Sequence, residues 1–386
     1  MRLVIINSVY GYGSTGRICA ALAEEYRKKG YEVRAAYGRS MSGMVQPEAE
    51  TVRIGTDADV RLHGVLTRLT DRHGLGSARA TRKFLHWLDD FAPDELWLHN
   101  LHGYYIHYEL LFAWIKKHPG LRVTWTLHDC WAFTGHCSHF MAADGGRECA
   151  KWKTGCSCCP ARKEYPASLM LDQSLSNYMR KKAAFSAVGG LHLIVPSKWL
   201  RDQVKQSFLG GYPVEVCYNT INKDVFRPRG SDFRKHYHLE DRIMILGVAS
   251  VWSDKKGLDD FVRLSRFLGN EAGRFCIVLV GIPKELAKVL PPDILCIGRT
   301  ESAETLAQIY SAADIFVNPT REDNYPTVNL ESEACGTPVI TYDTGGCRET
   351  LHLPESSAIR PEFGALVEEL EHRYGVLTLS CSKTEQ

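Results

Sequence analysis

The sequence predicts an α/β protein built from two doubly wound, Rossmann-like domains. Three observations predict it. The chain of 386 residues exceeds what one core ordinarily holds. Apolar, strand-like runs alternate with helical patterns in two separate series. Between the series lies a polar interval, residues 226–242, carrying Pro228, Gly230 and Ser231.

In the first series, residues 3–7 read as a buried strand. Ser14 opens a helix with Ile18, Leu22 and Tyr26 on one face, which stops near Lys29-Gly30. Further strands are expected at 33–37, 95–99, 122–127 and 192–196. This domain is assigned to residues 1–228, with a cysteine-rich insert at 130–160. The second, 240–375, offers strands at 243–248, 275–281, 294–297, 315–318 and 339–342. One helix, 362–374, follows before a polar end, which makes the second domain look short. Two such domains facing across a cleft would place a ligand at the carboxyl ends of their strands.

Hydrophobic residues at 44% and charged residues at 24% are ordinary globular values. A formal net charge of +2 gives no global reason to expect a nucleic-acid partner. The amino terminus enters a Gly-rich turn too soon for a signal peptide, and no apolar run reaches the roughly 18 residues of a membrane span. The expected location is therefore the cytoplasm. Of the 13 cysteines, six fall between Cys130 and Cys159. In a reducing compartment such clustering points to metal or chemistry rather than disulfides. Cys137, Cys149, Cys156 and Cys159 have spacings that suit a tetrahedral structural zinc, with His136, His139 and Cys158 as substitutes. Four protein ligands would leave no open position for catalysis. Ordinary reduced thiols in an irregular loop are the other reading.

The most informative stretch is Asn318-Pro-Thr-Arg-Glu-Asp-Asn-Tyr-Pro-Thr-Val-Asn-Leu-Glu-Ser-Glu-Ala-Cys-Gly-Thr-Pro-Val-Ile340. A strand ends at Asn318 and a loop carries Glu322 and Asp323. A helix starts around Pro326, and its amides and dipole suit a diphosphate. Glu331 falls in the second turn, able to accept hydrogen bonds from a diol such as ribose. A plain βαβ crossover with a charged loop would read the same on spacing alone. A second stretch, Leu246-Gly-Val-Ala-Ser250-Val-Trp-Ser-Asp-Lys-Lys256-Gly257, reads as strand, loop and helix, with Lys255-Lys256 otherwise a solvated helix start. After the first strand, Gly11-Tyr-Gly13-Ser-Thr-Gly16 gives a tight turn before a helix, a weak dinucleotide-binding fingerprint. His99, His102 and the pair His128-Asp129 end strands, where an aspartate can orient a histidine.

The Asp323-x7-Glu331 stretch resembles the donor-binding signature of family 4 glycosyltransferases of the GT-B fold, two Rossmann-like domains with a nucleotide-sugar site in the second. The family usually has Glu where Asp323 stands, and an arginine where Ser250 or Val251 stands, so Arg321 or Arg299 would supply the second cation beside Lys256. The resemblance implies that Glu331 binds the ribose, and that Asp323, sharing its role with Glu322, faces the donor sugar with the backbone of Asn324, Tyr325, Pro326 and Thr327. It implies that Gly13 lies near the donor phosphates, that His128 acts near the donor sugar, and that transfer retains configuration without a catalytic metal. The segment His128-Asp-Cys-Trp-Ala-Phe-Thr-Gly-His-Cys137, the later cysteines and Tyr165-Pro166 resemble a subgroup associated with colanic acid and related bacterial exopolysaccharides. That implies a hexose passing from a UDP- or GDP-sugar to a polyprenyl-diphosphate-linked oligosaccharide.

Residues 61–83 carry Arg61, Arg68, Arg72, Arg79, Arg82 and Lys83 among Leu62, Leu66 and Leu69, a pattern that fits peripheral contact with the cytoplasmic face of an inner membrane or a solvated helix pair. Three rival functions stand beside the transferase. Asp57-x-Asp59 could serve a metal-dependent GT-A enzyme, but it precedes a basic helix like a cap. His99, His102, His128 and Asp129 could serve a zinc hydrolase, but without the usual pairing. A zinc-stabilised, non-enzymatic carbohydrate- or nucleotide-binding protein is the third.

Overall fold

The computed structural model describes residues 1–40, 50–141, 147–269 and 273–375. The expected polar end and residues 142–146 of the cysteine-rich insert lie outside the described residues. The chain forms two compact units, Met1–Cys217 and Tyr218–Gln386.

The first unit contains, in order, β1 (Arg2–Asn7), α1 (Gly13–Lys28), β2 (Glu32–Tyr37), β3 (Thr51–Arg53), α2 (Asp57–Thr70), α3 (Ala78–Phe91), β4 (Glu95–Leu98), α4 (Tyr108–Lys116), β5 (Arg122–Thr126), α5 (Ser174–Phe185), β6 (Leu191–Val195), α6 (Lys198–Gln206) and β7 (Val214–Val216). Its seven strands pair in the order β3-β2-β1-β4-β5-β6-β7, parallel throughout. Leu3, Val4, Ile5 and Ile6 are all buried, as a strand covered on both faces requires. The strand order reverses between β1 and β4. The crevice this creates takes the loops after β1, β4 and β5, which hold the glycine turn and the histidines.

The second unit contains α7 (Phe233–Tyr237), β8 (Ile243–Val248), α8 (Leu258–Phe267), β9 (Phe275–Val280), α9 (Lys284–Ala287), β10 (Ile294–Ile297), α10 (Ala303–Ala312), β11 (Ile315–Asn318), α11 (Thr327–Ala334), β12 (Val339–Tyr342), β13 (Ser357–Ile359) and α12 (Phe363–Tyr374). Six strands run parallel in the order β10-β9-β8-β11-β12-β13. Here the reversal lies between β8 and β11, the strands that precede Lys256 and Asp323.

Two boundaries differ from the sequence reading. The chain divides at Cys217 and Tyr218 rather than after 228, and residues 226–242 are no linker. Phe226 and Leu239 are buried in the core of the second unit, with α7 between them. The second sheet is also fuller than expected, because β13 adds a strand and α12 covers it with Ala365, Leu366 and Leu370.

Candidate active site

The loop after β11 is pinned to the loop after β8 by ion pairs. Lys256 Nζ donates to Asp323 at 2.6 Å, and Lys255 pairs with Glu322. Burial alone would lower the Lys256 ammonium, but the Asp323 carboxylate holds it above its ordinary value and keeps it charged. Glu322 turns inward and is 4% exposed, so Asp323 is the acid left at the carboxyl edge. Asp323 also accepts the amide N–H of Tyr325, which shapes the turn into α11. Pro326 supplies the N-cap of that helix with no side-chain hydrogen bond to its first amides. Gly257 makes the approach possible. Its φ is +74°, and a Cβ there would lie 2.4 Å from Pro319 Cγ.

Beneath this loop the polar groups interlock. Tyr310 on α10 donates to Glu331 at 3.2 Å, and burial and that carboxylate raise the Tyr310 hydroxyl well above its usual range. Asn318 donates to Asn329 and Asn329 to Thr350, each at 2.8 Å. Tyr325 stacks on Tyr218, with ring centroids 5.2 Å apart. Asn324 is buried and Thr327 opens α11.

Neither expected substitute arginine joins Lys256. Arg321 is committed to a bidentate pair with Asp259 at 2.7 and 2.8 Å and a third bond to Asp260 at 2.8 Å. Arg299 is exposed after β10, the edge strand two places from β8.

In the first unit the turn after β1 forms as expected, with Gly11 at φ 76° and Gly13 at φ 65° leading into α1. His99 Nδ1 and His128 Nε2 are 2.9 Å apart, their rings stacked. Burial pushes His99 well below the usual histidine range and takes His128 down to about 4, against the upward pull of the Asp129 carboxylate. Both rings are therefore neutral at pH 7. Asp129 does not orient its neighbour His128, as adjacency in sequence suggests. It bonds His102 Nε2 at 2.8 Å, whose Nδ1 meets the Tyr165 hydroxyl at 3.0 Å. Burial opposes ionisation of Asp129, yet His102 brings its carboxyl down to about 2. His99, His102, His128 and Asp129 line one pocket. Tyr165 stands in the sequence only as part of the Tyr165-Pro166 motif, and it is the bond to His102 that gives it a place at this site.

Comparison with known proteins decides what this arrangement belongs to. The family described as Glycosyltransferase Family 4 matches residues 15–225, more than half of the chain, and that described as Glycosyl transferases group 1 matches residues 242–372. The chain belongs to glycosyltransferase family 4. It is 26% identical over 283 residues to WcaC of Escherichia coli, assigned to colanic acid biosynthesis, a match covering 70% of this chain and 65% of WcaC. The chain thus spans less than two thirds of the curated relatives it matches. In three dimensions it resembles the sucrose-phosphate synthase of Thermosynechococcus elongatus, with a TM-score of 0.65, 16% identity and coverage of 96% of this chain and 89% of that one. It also resembles HepE of Anabaena, solved with UDP and glucose, with a TM-score of 0.59, 15% identity and coverage of 96% and 89%. These likenesses establish the GT-B fold.

Within this family 4 chain the cysteine-rich segment packs on the first unit around Phe133, Phe140 and Trp152. Cys137, Cys149, Cys156 and Cys159 line one pocket. The Gly135 amide donates to Cys156 Sγ at 3.1 Å, the Ala161 amide donates to Cys159, and Cys137 and Cys159 share a hydrogen bond. His136 bonds Asp71 through Nδ1 at 2.5 Å, while its Nε2 is buried without a hydrogen-bond partner, the arrangement a carboxylate-supported ligand would have. Cys158 is exposed, with φ 47°. Among the described residues no three His, Cys, Asp or Glu side chains yet stand as a metal-binding group.

Proposed function

We propose that this chain transfers a hexose from a UDP- or GDP-sugar, with retention, to a polyprenyl-diphosphate-linked oligosaccharide of a bacterial exopolysaccharide, at the cytoplasmic face of a membrane. The observation that carries the reading is the Lys256–Asp323 pair at the switch point of the second sheet, beside an α11 whose first amides have no side-chain cap. A diphosphate seated there would meet Lys256 and those amides, donors placed where charge develops on the leaving group. Glu331, one turn further into α11, would take the ribose, and Asp323 the donor sugar. His128, neutral in its pocket, can donate or accept a hydrogen bond toward a sugar hydroxyl without bringing a charge.

The missing arginine favours a second reading, binding without turnover, because Arg321 is spent on α8. A thermal-shift screen of UDP, GDP, ADP and their sugars, with Glu331→Ala as control, tests both. A ligand that binds only the folded state raises the melting temperature by mass action. One nucleotide stabilising the wild type and not the variant supports the donor site, and release of that nucleotide from its sugar supports transfer. Stabilisation without release favours the binding module, and no response at millimolar ligand sinks the donor site.

We also propose that Cys137, Cys149, Cys156 and Cys159 hold a structural zinc. The shared pocket and the backbone amides already donating to two of the sulfurs support it. Side-chain rotation would bring the thiols inward.

A further inference from the structure

Two helices of the first unit turn large apolar side chains outward. α2 buries His63, Gly64 and Thr67, while Leu62, Val65 and Leu69 are exposed. α5 buries Ser174, Asn177 and Lys181 together with Tyr178 and Phe185, while Leu175 and Met179 are exposed. A surface helix of a soluble domain ordinarily turns its apolar stripe to the core. Here polar side chains are inside because their partners are there. His63 Nε2 accepts the amides of Gly74 and Gly76 at 3.1 Å, Asn177 donates to the Asp71 carbonyl at 2.5 Å, and Lys181 donates to the Trp131 carbonyl at 2.6 Å.

The two outward stripes are joined. The loop before α5 exposes Leu169, Met170 and Leu171, and the Leu169 amide donates to the Arg68 carbonyl at 2.8 Å. The Gln173 amide reaches the Asp71 carboxylate at 2.8 Å, just past the end of α2. Eight of the 13 large hydrophobic side chains exposed among the described residues therefore sit on these two connected segments. That concentration marks a binding surface rather than the scatter of a normal exterior.

Charge identifies the occupant. Arg61, Arg68 and Lys182 are exposed on the same segments, with Arg72 exposed just past α2 and Lys163 exposed ahead of the 169–171 loop. Nearby carboxylates are occupied: Asp172 accepts the amides of Cys159 and Ser174, Asp57 pairs with Arg53, and Asp59 closes the capping box of α2. An apolar face bordered by cations fits the interface of an anionic bilayer, where the side chains enter the acyl boundary and the cations stay among headgroups. We propose that α2, the 169–171 loop and α5 form the face by which this chain docks on an anionic lipid membrane. The inference rests on the proposed lipid-linked acceptor for its purpose, and on this face alone for its evidence.

Sedimentation with vesicles tests it. The full chain should partition onto phosphatidylcholine mixed with phosphatidylglycerol, more weakly onto phosphatidylcholine alone, and less as salt rises. Leu62→Ser with Met170→Ser changes no charge and should lower partitioning at least about tenfold, since both substitutions remove apolar surface that would enter the lipid. Val289→Ser, 76% exposed on the second unit, should leave it unchanged. Unaltered melting temperatures separate lost docking from lost folding. No partitioning of the wild type, or equal partitioning of the double variant, overturns the proposal. A wild-type dimer that the double variant dissociates, without vesicle binding, also overturns it and assigns the face to a second copy. The nucleotide thermal shift on the same samples reports the donor site separately. If it persists in protein that ignores vesicles, only the docking inference fails.

Discussion

Lys256 and Asp323 are 67 residues apart in sequence and 2.6 Å apart in space, so each charge near the proposed diphosphate depends on the other loop. Lys256→Ala removes the cation, and about a hundredfold to thousandfold loss of transfer is expected, the range found when one preorganised electrostatic donor is deleted. Steady-state kinetics with unchanged melting temperature is the check, and a loss below tenfold would move the essential cation elsewhere. Gly257→Ala tests the joint itself. A Cβ would press within 2.4 Å of Pro319 Cγ at a φ of +74°, so a loss of at least about 1–3 kcal/mol is expected in urea unfolding. An unchanged midpoint would mean that the two loops separate freely. Much of this was legible in the sequence, because the acid spacing, the lysine-glycine pair and the proline all sit in local motifs. The partners were not. Nothing in the chain says that Arg321 closes on Asp259, or that Asp129 reaches past His128 to His102, since those bonds are set by how neighbouring strand ends fan out.

At the scale of elements, strands buried on both faces read clearly, since they are continuous apolar runs bounded by turns. β3, β7 and β13 did not, because three-residue strands at or near the sheet edges are too short to carry a period. α2 was legible as basic and amphipathic, but hydrophobic spacing alone cannot say which stripe faces in. The cysteine-rich segment is the element whose stability is most open to test. With zinc bound by four thiolates, purified protein should contain about one zinc per chain, and Cys156→Ser should lose it while Cys276→Ser, buried under the second sheet, should not. Cobalt substitution giving the visible bands of a tetrahedral thiolate site would identify the ligands. Well under one zinc per chain, in protein prepared without chelator, ends the zinc proposal and leaves the segment held by Phe133, Phe140 and Trp152.

The whole molecule is asymmetric in its response to acid. In the first unit, burial takes His63 and His128 down to about 4, and takes His73 and His99 well below the usual value. All four described histidines of the second unit, His236, His238, His352 and His372, are exposed. A histidine held neutral by the fold leaves stability intact above its unfolded pKa near 6.5. As pH falls below that value the unfolded chain takes up the proton and the folded chain does not, so stability drains until the folded value is reached. Each such group steepens the fall by up to about 1.4 kcal/mol per pH unit. His136 opposes this weakly: burial works against its charge, but Asp71 raises it, so its contribution is present at low pH and is lost as pH rises through the folded value. Burial also lowers His107, so with five against one the first unit should fail first between pH 6.5 and 4. Tryptophan fluorescence can follow it, because every tryptophan except Trp252 lies before Tyr218. The urea midpoint read this way should drop steeply from pH 7 to pH 5, and His63→Gln with His99→Gln should flatten the slope even if it lowers the midpoint at pH 7. A wild-type midpoint that does not change with pH would mean that these rings protonate in the folded chain, and that the first unit opens locally around them.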